Sequence, residues 1–164
     1  MQRLASCVGA AMGMLLLPVA AICAEEEIPL GKVPPPVMEA AKARFKDAEV
    51  TNAAKEIDEG KVVYEVTLKL KGQNIDVILA PEGEILLIER AITRKDLPTA
   101  VAKALEDKYP EATYKVVEEV IKVEKKQEKL EYYEARLMTA EKKRLEVKVT
   151  PAGKIVKGED AGPD

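Results

Sequence analysis

The chain has 164 residues, with 29 acidic against 26 basic side chains, no histidine, no tryptophan and a formal net charge of −3. That balance does not suit nucleic acid, whose binders present basic faces. With Ser6 its sole serine and Cys7 and Cys23 its only cysteines, it lacks the Ser–His and Cys–His pairs of hydrolases and the usual ligands of zinc and copper.

Met1-Gln2-Arg3 gives a short positive start, and Val8 to Ala21 is apolar and uncharged. Such a run has the length of a signal-peptide core and is short for a membrane span. Residues 1–24 are therefore read as a signal peptide, cut after Ala24 or after Ala21. Cys23 as a lipid-modified residue fits less well, because Ile22 stands where a small residue is expected. Export to the periplasm or outside the cell follows, and a cut after Ala24 leaves a cysteine-free chain with no membrane segment and a net charge of about −4. Residues 25–32 form a lead-in.

Val33-Pro34-Pro35-Pro36 opens a first helix whose apolar stripe is Val33, Val37, Ala41 and Phe45, with Met38 alongside. The period then changes from four to two. Glu49 to Ile57 is a weaker strand candidate; Val62, Tyr64, Val66, Leu68 and Leu70 alternate with Val63, Glu65, Thr67 and Lys69. After Lys71-Gly72, Ile75, Val77 and Leu79 face one way and Asp76 and Ile78 the other. Pro81-Glu82-Gly83 turns the chain into a returning strand, Glu84 to Arg90.

A second helix spans Asp96 to Tyr109. Asp96 is its expected cap, Pro98 sits in the first turn, Leu97, Val101, Leu105 and Tyr109 form the stripe, and Pro110 ends it. Strands follow at Tyr114 to Val123, Leu130 to Met138 and Arg144 to Thr150, and Pro151-Ala152-Gly153-Lys154-Ile155 copies the turn at Pro81. The charged run Glu124 to Lys129 reads as a solvated hairpin extension, and residues 158–164 as a disordered tail. Val33-Pro34 and Leu97-Pro98 stand about 64 residues apart, Tyr64-Glu65 and Tyr133-Glu134 about 69, Ile75 and Leu145 about 70. The same order of helix and strands twice over is a tandem duplication, with units at 33–92 and 97–157 joined by 93–96 and about five extra residues in the second hairpin.

Leu97-Pro98, Val101, Tyr109-Pro110-Glu111-Ala112, Tyr132-Tyr133-Glu134 and Pro151-Ala152-Gly153-Lys154-Ile155 resemble PepSY-like exported domains, which are similar to the β-lactamase inhibitory protein. Phe45-Lys46-Asp47-Ala48 takes the place of Tyr109 to Ala112 in the first copy. The resemblance implies an α+β fold of two tandem repeats, each a helix packed on a four-stranded antiparallel sheet. It also implies a partner that is an exported protein or peptide, a protease-like target by analogy with propeptides. The chain has one Phe and five Tyr, sparse anchors for a tight inhibitor of β-lactamase.

The second face of the strands is where such a partner would sit. In the second unit it carries Tyr132, Glu134, Arg136, Glu146, Lys148 and Thr150, which also suits an ordinary solvated sheet. In the first unit Val63 and Ile78, with either Ile85 and Leu87 or Leu86 and Ile88, form an apolar patch that needs cover from the second unit, from Ile28 to Leu30, or from a partner or second copy. Candidate binding residues are thus Val63, Ile78, Tyr132, Glu134, Arg136 and Lys148. No catalytic residue, cofactor or metal is expected; the acidic stretch Asp58-Glu59-Gly60 is too sparse for a calcium loop. A non-enzymatic exported module that binds or inhibits a protein or peptide through its open sheet face is the leading reading, and a passive envelope scaffold is the alternative.

Overall fold

A computed structural model describes residues 26–58 and 60–160. The expected signal peptide at residues 1–24, with both cysteines, lies outside the described residues, as do Glu25, Glu59 and residues 161–164. The chain runs through β1 (Glu26–Glu27), a 3-10 turn at Leu30–Lys32, α1 (Pro35–Arg44), β2 (Glu49–Asp58), β3 (Lys61–Leu70), β4 (Gln73–Leu79) and β5 (Ile85–Ala91). A second 3-10 turn at Arg94–Asp96 leads into α2 (Thr99–Lys108), β6 (Thr113–Glu124), β7 (Gln127–Met138), β8 (Arg144–Val149) and β9 (Ile155–Asp160).

The expected pair of four-stranded sheets is not what forms. Among the described residues all nine strands join one antiparallel sheet in chain order, accompanied by two helices of ten residues each. The two halves are fused by the β5–β6 ladder, from Leu87 opposite Lys122 to Ala91 opposite Glu118. Free strand edges expose unpaired amides and carbonyls, so the last strand of the first half and the first strand of the second satisfy each other. Gly158 to Asp160, read from sequence as part of a tail, complete β9.

Both helices cover the same face. Ala53, Val66, Val77, Ile88 and Ile121 stand opposite one another in successive strands and belong to the first apolar cluster, with Val37 and Ala41 from α1. Val117, Ala135 and Val147 align likewise in the second cluster, under Val101 and Leu105 of α2. Val117 and Ile121 are four residues apart on one strand, so alternation puts both on one side. Val37, Ala41, Val101 and Leu105 are fully buried, as the four-residue stripes require. Each large aliphatic side chain so removed from water contributes roughly 1.5–3 kcal/mol.

Local details depart from expectation at two places. Asp96 does not cap α2: its carboxylate accepts hydrogen bonds from Thr93 N and Oγ1 at 2.9 and 2.7 Å and closes the 3-10 turn, while Pro98 occupies the position before α2. In β5 neither alternation holds throughout. A register shift pairs Ile78 with Leu87 and Leu79 with Ile85, skipping Leu86, so Ile85 and Ile88 both reach the first cluster and Leu87 turns to the other face.

The two matching turns are held by the same contact. Gly83 and Gly153 have φ of +88° and +82°, and a Cβ on them would lie 2.5 Å from the Pro36 carbonyl oxygen and 2.6 Å from that of Ala100. Each β-turn therefore presses against the first turn of its helix at a distance only glycine permits. Gly83→Ala and Gly153→Ala should each lower the unfolding free energy by about 1–3 kcal/mol. Gly72→Ala, at φ +86° but with open space around it, should cost less. Urea denaturation of the three variants checks this order.

Candidate functional site

The face opposite the helices carries polar side chains between its apolar ones, and several are deeply buried. Asp76, Glu118, Glu134 and Lys148 are 2%, 2%, 4% and 5% exposed. The register explains how they meet. Asp76 stands directly opposite Glu89 across β4–β5, and Glu118 opposite Glu134 across β6–β7, with Lys148 and then Lys157 continuing the second row.

Glu118, Glu134, Glu146, Arg136, Lys148 and Tyr132 form one network over β6, β7 and β8. Arg136 Nη2 donates to Glu118 Oε2 at 2.9 Å, and its Nε lies 3.9 Å from Glu134 Oε1. Lys148 Nζ is 3.5 Å from Glu134 Oε2 and 3.7 Å from Glu146 Oε1. It also donates to Tyr132 Oη at 3.3 Å and sits 5.0 Å from the centre of that ring. The arrangement is an ammonium held among carboxylates and an aromatic face.

Burial sets the electrostatics. It pushes the Glu134 carboxyl up to about 7, with Glu146 acting the same way and Lys148 opposing. Burial also raises Glu89 well above the ordinary carboxyl range, and the carboxylates of Glu134, Glu118, Glu65 and Asp76 push it further. The Tyr132 phenol is raised by burial first and by Glu134 second, so it stays a hydroxyl.

Of the candidate residues, the structure brings Tyr132, Glu134, Arg136 and Lys148 together and leaves Val63 and Ile78 apart. The latter two share the face but lie on β3 and β4, beside Glu56 and beside Glu65 and Leu87 respectively. Val63 is buried and Ile78 half-buried, and neither belongs to the two apolar clusters. Glu118, Glu89 and Asp76 are not among the candidate binding residues of the sequence, although their alternation with inward-facing neighbours puts them on this face. Among the described residues no group of three or more Asp, Glu, His or Cys is placed to hold a metal ion, and no helix is long and apolar enough to cross a membrane.

Removing one member of a buried ion pair strands the other. Lys148→Met leaves Glu134 and Glu146 without their shared ammonium and should cost about 3–5 kcal/mol at pH 8. Lys103→Met, which breaks the exposed pair with Asp107 on α2, should change the unfolding midpoint little. Chemical denaturation of both variants tests the contrast.

A family described as "Putative beta-lactamase-inhibitor-like, PepSY-like" matches the chain twice, over residues 20–87 and 80–157. No curated protein matches it. Among solved structures, the chain is similar to a "putative periplasmic" protein from Bacteroides eggerthii, with 18% identity over 79% of this chain and 90% of that one and a TM-score of 0.64. A DUF2874 family protein from Bacteroides uniformis is 20% identical over 77% of this chain and 88% of its own, at a TM-score of 0.62. A BLIP-like protein from Bacteroides fragilis is 16% identical over 79% and 87%, at 0.57. Identities this low speak for a shared fold only. The two family matches together take in most of the sequence, and the chain belongs to the PepSY-like family.

Proposed function

We propose that the chain, once exported to the periplasm, is a non-catalytic binding module that engages a protein or peptide through the face of the sheet opposite its helices. The observation that carries this reading is the placement of α1 and α2 on one side of the nine-stranded sheet, which leaves the other side without a helix among the described residues. An inhibitor-like family and a BLIP-like structural neighbour support a protein as the partner, and a neighbour called periplasmic supports the location, as does the signal-like start Met1 to Ala24. The absence of histidine and, after a cut at Ala24, of serine and cysteine supports a role without nucleophilic catalysis.

Within that face the half-buried Ile78, Tyr132 and Arg136 are the contact residues in this reading, and the buried Val63, Glu134 and Lys148 hold the surface in shape. Aromatic and arginine side chains at the centre of a patch contribute most to protein association. Affinity capture from the exported fraction with the mature chain as bait, followed by mass spectrometry, should retain a partner. Tyr132→Ala and Ile78→Lys baits, confirmed folded by their melting temperatures, should retain it at least about tenfold less well. Equal retention by all three baits places the contact elsewhere, and no retained protein favours the passive scaffold.

A further inference from the structure

We infer that the helix-free face is a pH-responsive latch of the fold: in mild acid its carboxyls hold a proton between opposed strands, and as the medium turns alkaline that proton leaves and the sheet loosens there. The argument starts from register and charge. Acidic residues stand directly opposite each other on adjacent strands, among them Asp76 with Glu89 and Glu118 with Glu134. Like charges in that position repel. The charged groups facing them are Glu65 from β3 and Glu146 from β8, and the cations Lys69 from β3, Lys122 from β6, Arg136 from β7, Lys148 from β8 and Lys157 from β9, with Tyr132 a neutral neighbour. Carboxyls outnumber cations among these residues, and three of the four in those two pairs are almost wholly out of water. A net buried charge of that kind is costly, and binding a proton is the least disruptive way to reduce it.

The direction of the raised carboxyls agrees. Glu134 titrates at about 7 in the folded chain against 4.5 ordinarily, and Glu89 is raised as well. A group with a raised folded value confers stability that is complete below about pH 4.5 and is lost as the pH climbs through the folded value. The loss therefore falls between about pH 5 and pH 8. Sequence composition makes this window unusually quiet: without histidine, only the terminal amine otherwise titrates there in the unfolded chain.

The test uses the mature chain with glutamate labelled at its side-chain carboxyl carbon. Carbon NMR from pH 4 to pH 9 should show at least one glutamate, absent or shifted in Glu89→Gln or Glu134→Gln, with its midpoint above pH 6. In parallel, the unfolding equilibrium constant should rise by about tenfold to a hundredfold between pH 5 and pH 8, since each unit of displacement corresponds to a factor of ten. Glu89→Gln mimics the protonated form, so it should flatten that dependence and be the more stable protein at pH 8. A purely structural effect would instead shift stability equally at every pH. If all glutamates titrate below pH 5.5, or if Glu89→Gln and the double variant Glu89→Gln/Glu134→Gln keep the wild-type slope, the inference is overturned. Should the double variant fail to fold, the NMR midpoints and Glu89→Gln alone decide.

Discussion

The pairing of β5 with β6 is the constraint on which the rest depends. It sets Ile88 against Ile121, and through that contact a strand of the second half enters the core of the first. Val123 and Leu130, on the long β6–β7 hairpin, pack against the same core, and Glu128 at its tip meets Arg44 of α1 at 2.7 Å and Arg90 of β5 at 3.9 Å. Those ion pairs are exposed and weak, on the order of 0.2–1 kcal/mol, but they hold the extension over the first half. A unit of about 60 residues buries only a thin core. Here the first half borrows part of its core from the second, and the continuous ladder removes two free edges at once.

The sheet meets two different demands on its two sides. Toward the helices, aliphatic rows are closed by the stripes of α1 and α2, and the turns at Gly83 and Gly153 bring each helix start down onto its strands. On the other side, Glu118, Glu134 and Lys148 are buried as ions or acids within a hydrogen-bonded network. A buried ion network is seldom the most stable way to fill a space, because desolvation offsets much of the attraction. It does restrict which neighbours each strand accepts, since a one-residue slip would exchange the two faces.

Much of this was legible in the residues. Four-residue stripes marked both helices, and period-two alternation placed Tyr132, Glu134, Arg136 and Lys148 on one face, where they do meet. What alternation reports is the side of the sheet on which a residue lies. It does not report which strand lies beside which, so the joining of β5 to β6 and the opposition of Asp76 to Glu89 were hidden. Single-residue irregularities were hidden too. Leu86 drops out of register because the partner strand skips it, and Asp96 serves Thr93 because a 3-10 turn intervenes before α2. Both depend on neighbours that no local pattern encodes.

The strand order has a kinetic consequence. Each strand pairs with the one before and the one after it in the chain, so no ladder waits on a segment from far along the sequence. Loop-closure entropy is therefore small at every step except β1 to β2 and β5 to β6, where the chain must first pass through α1 and α2. Sheets rich in distant pairings fold slowly, whereas a meander assembles hairpin by hairpin. Zipping inward from hairpins in each half, with the β5–β6 closure as the slow event, is the folding order this topology favours, and until that closure β5 and β6 stand as bare edges.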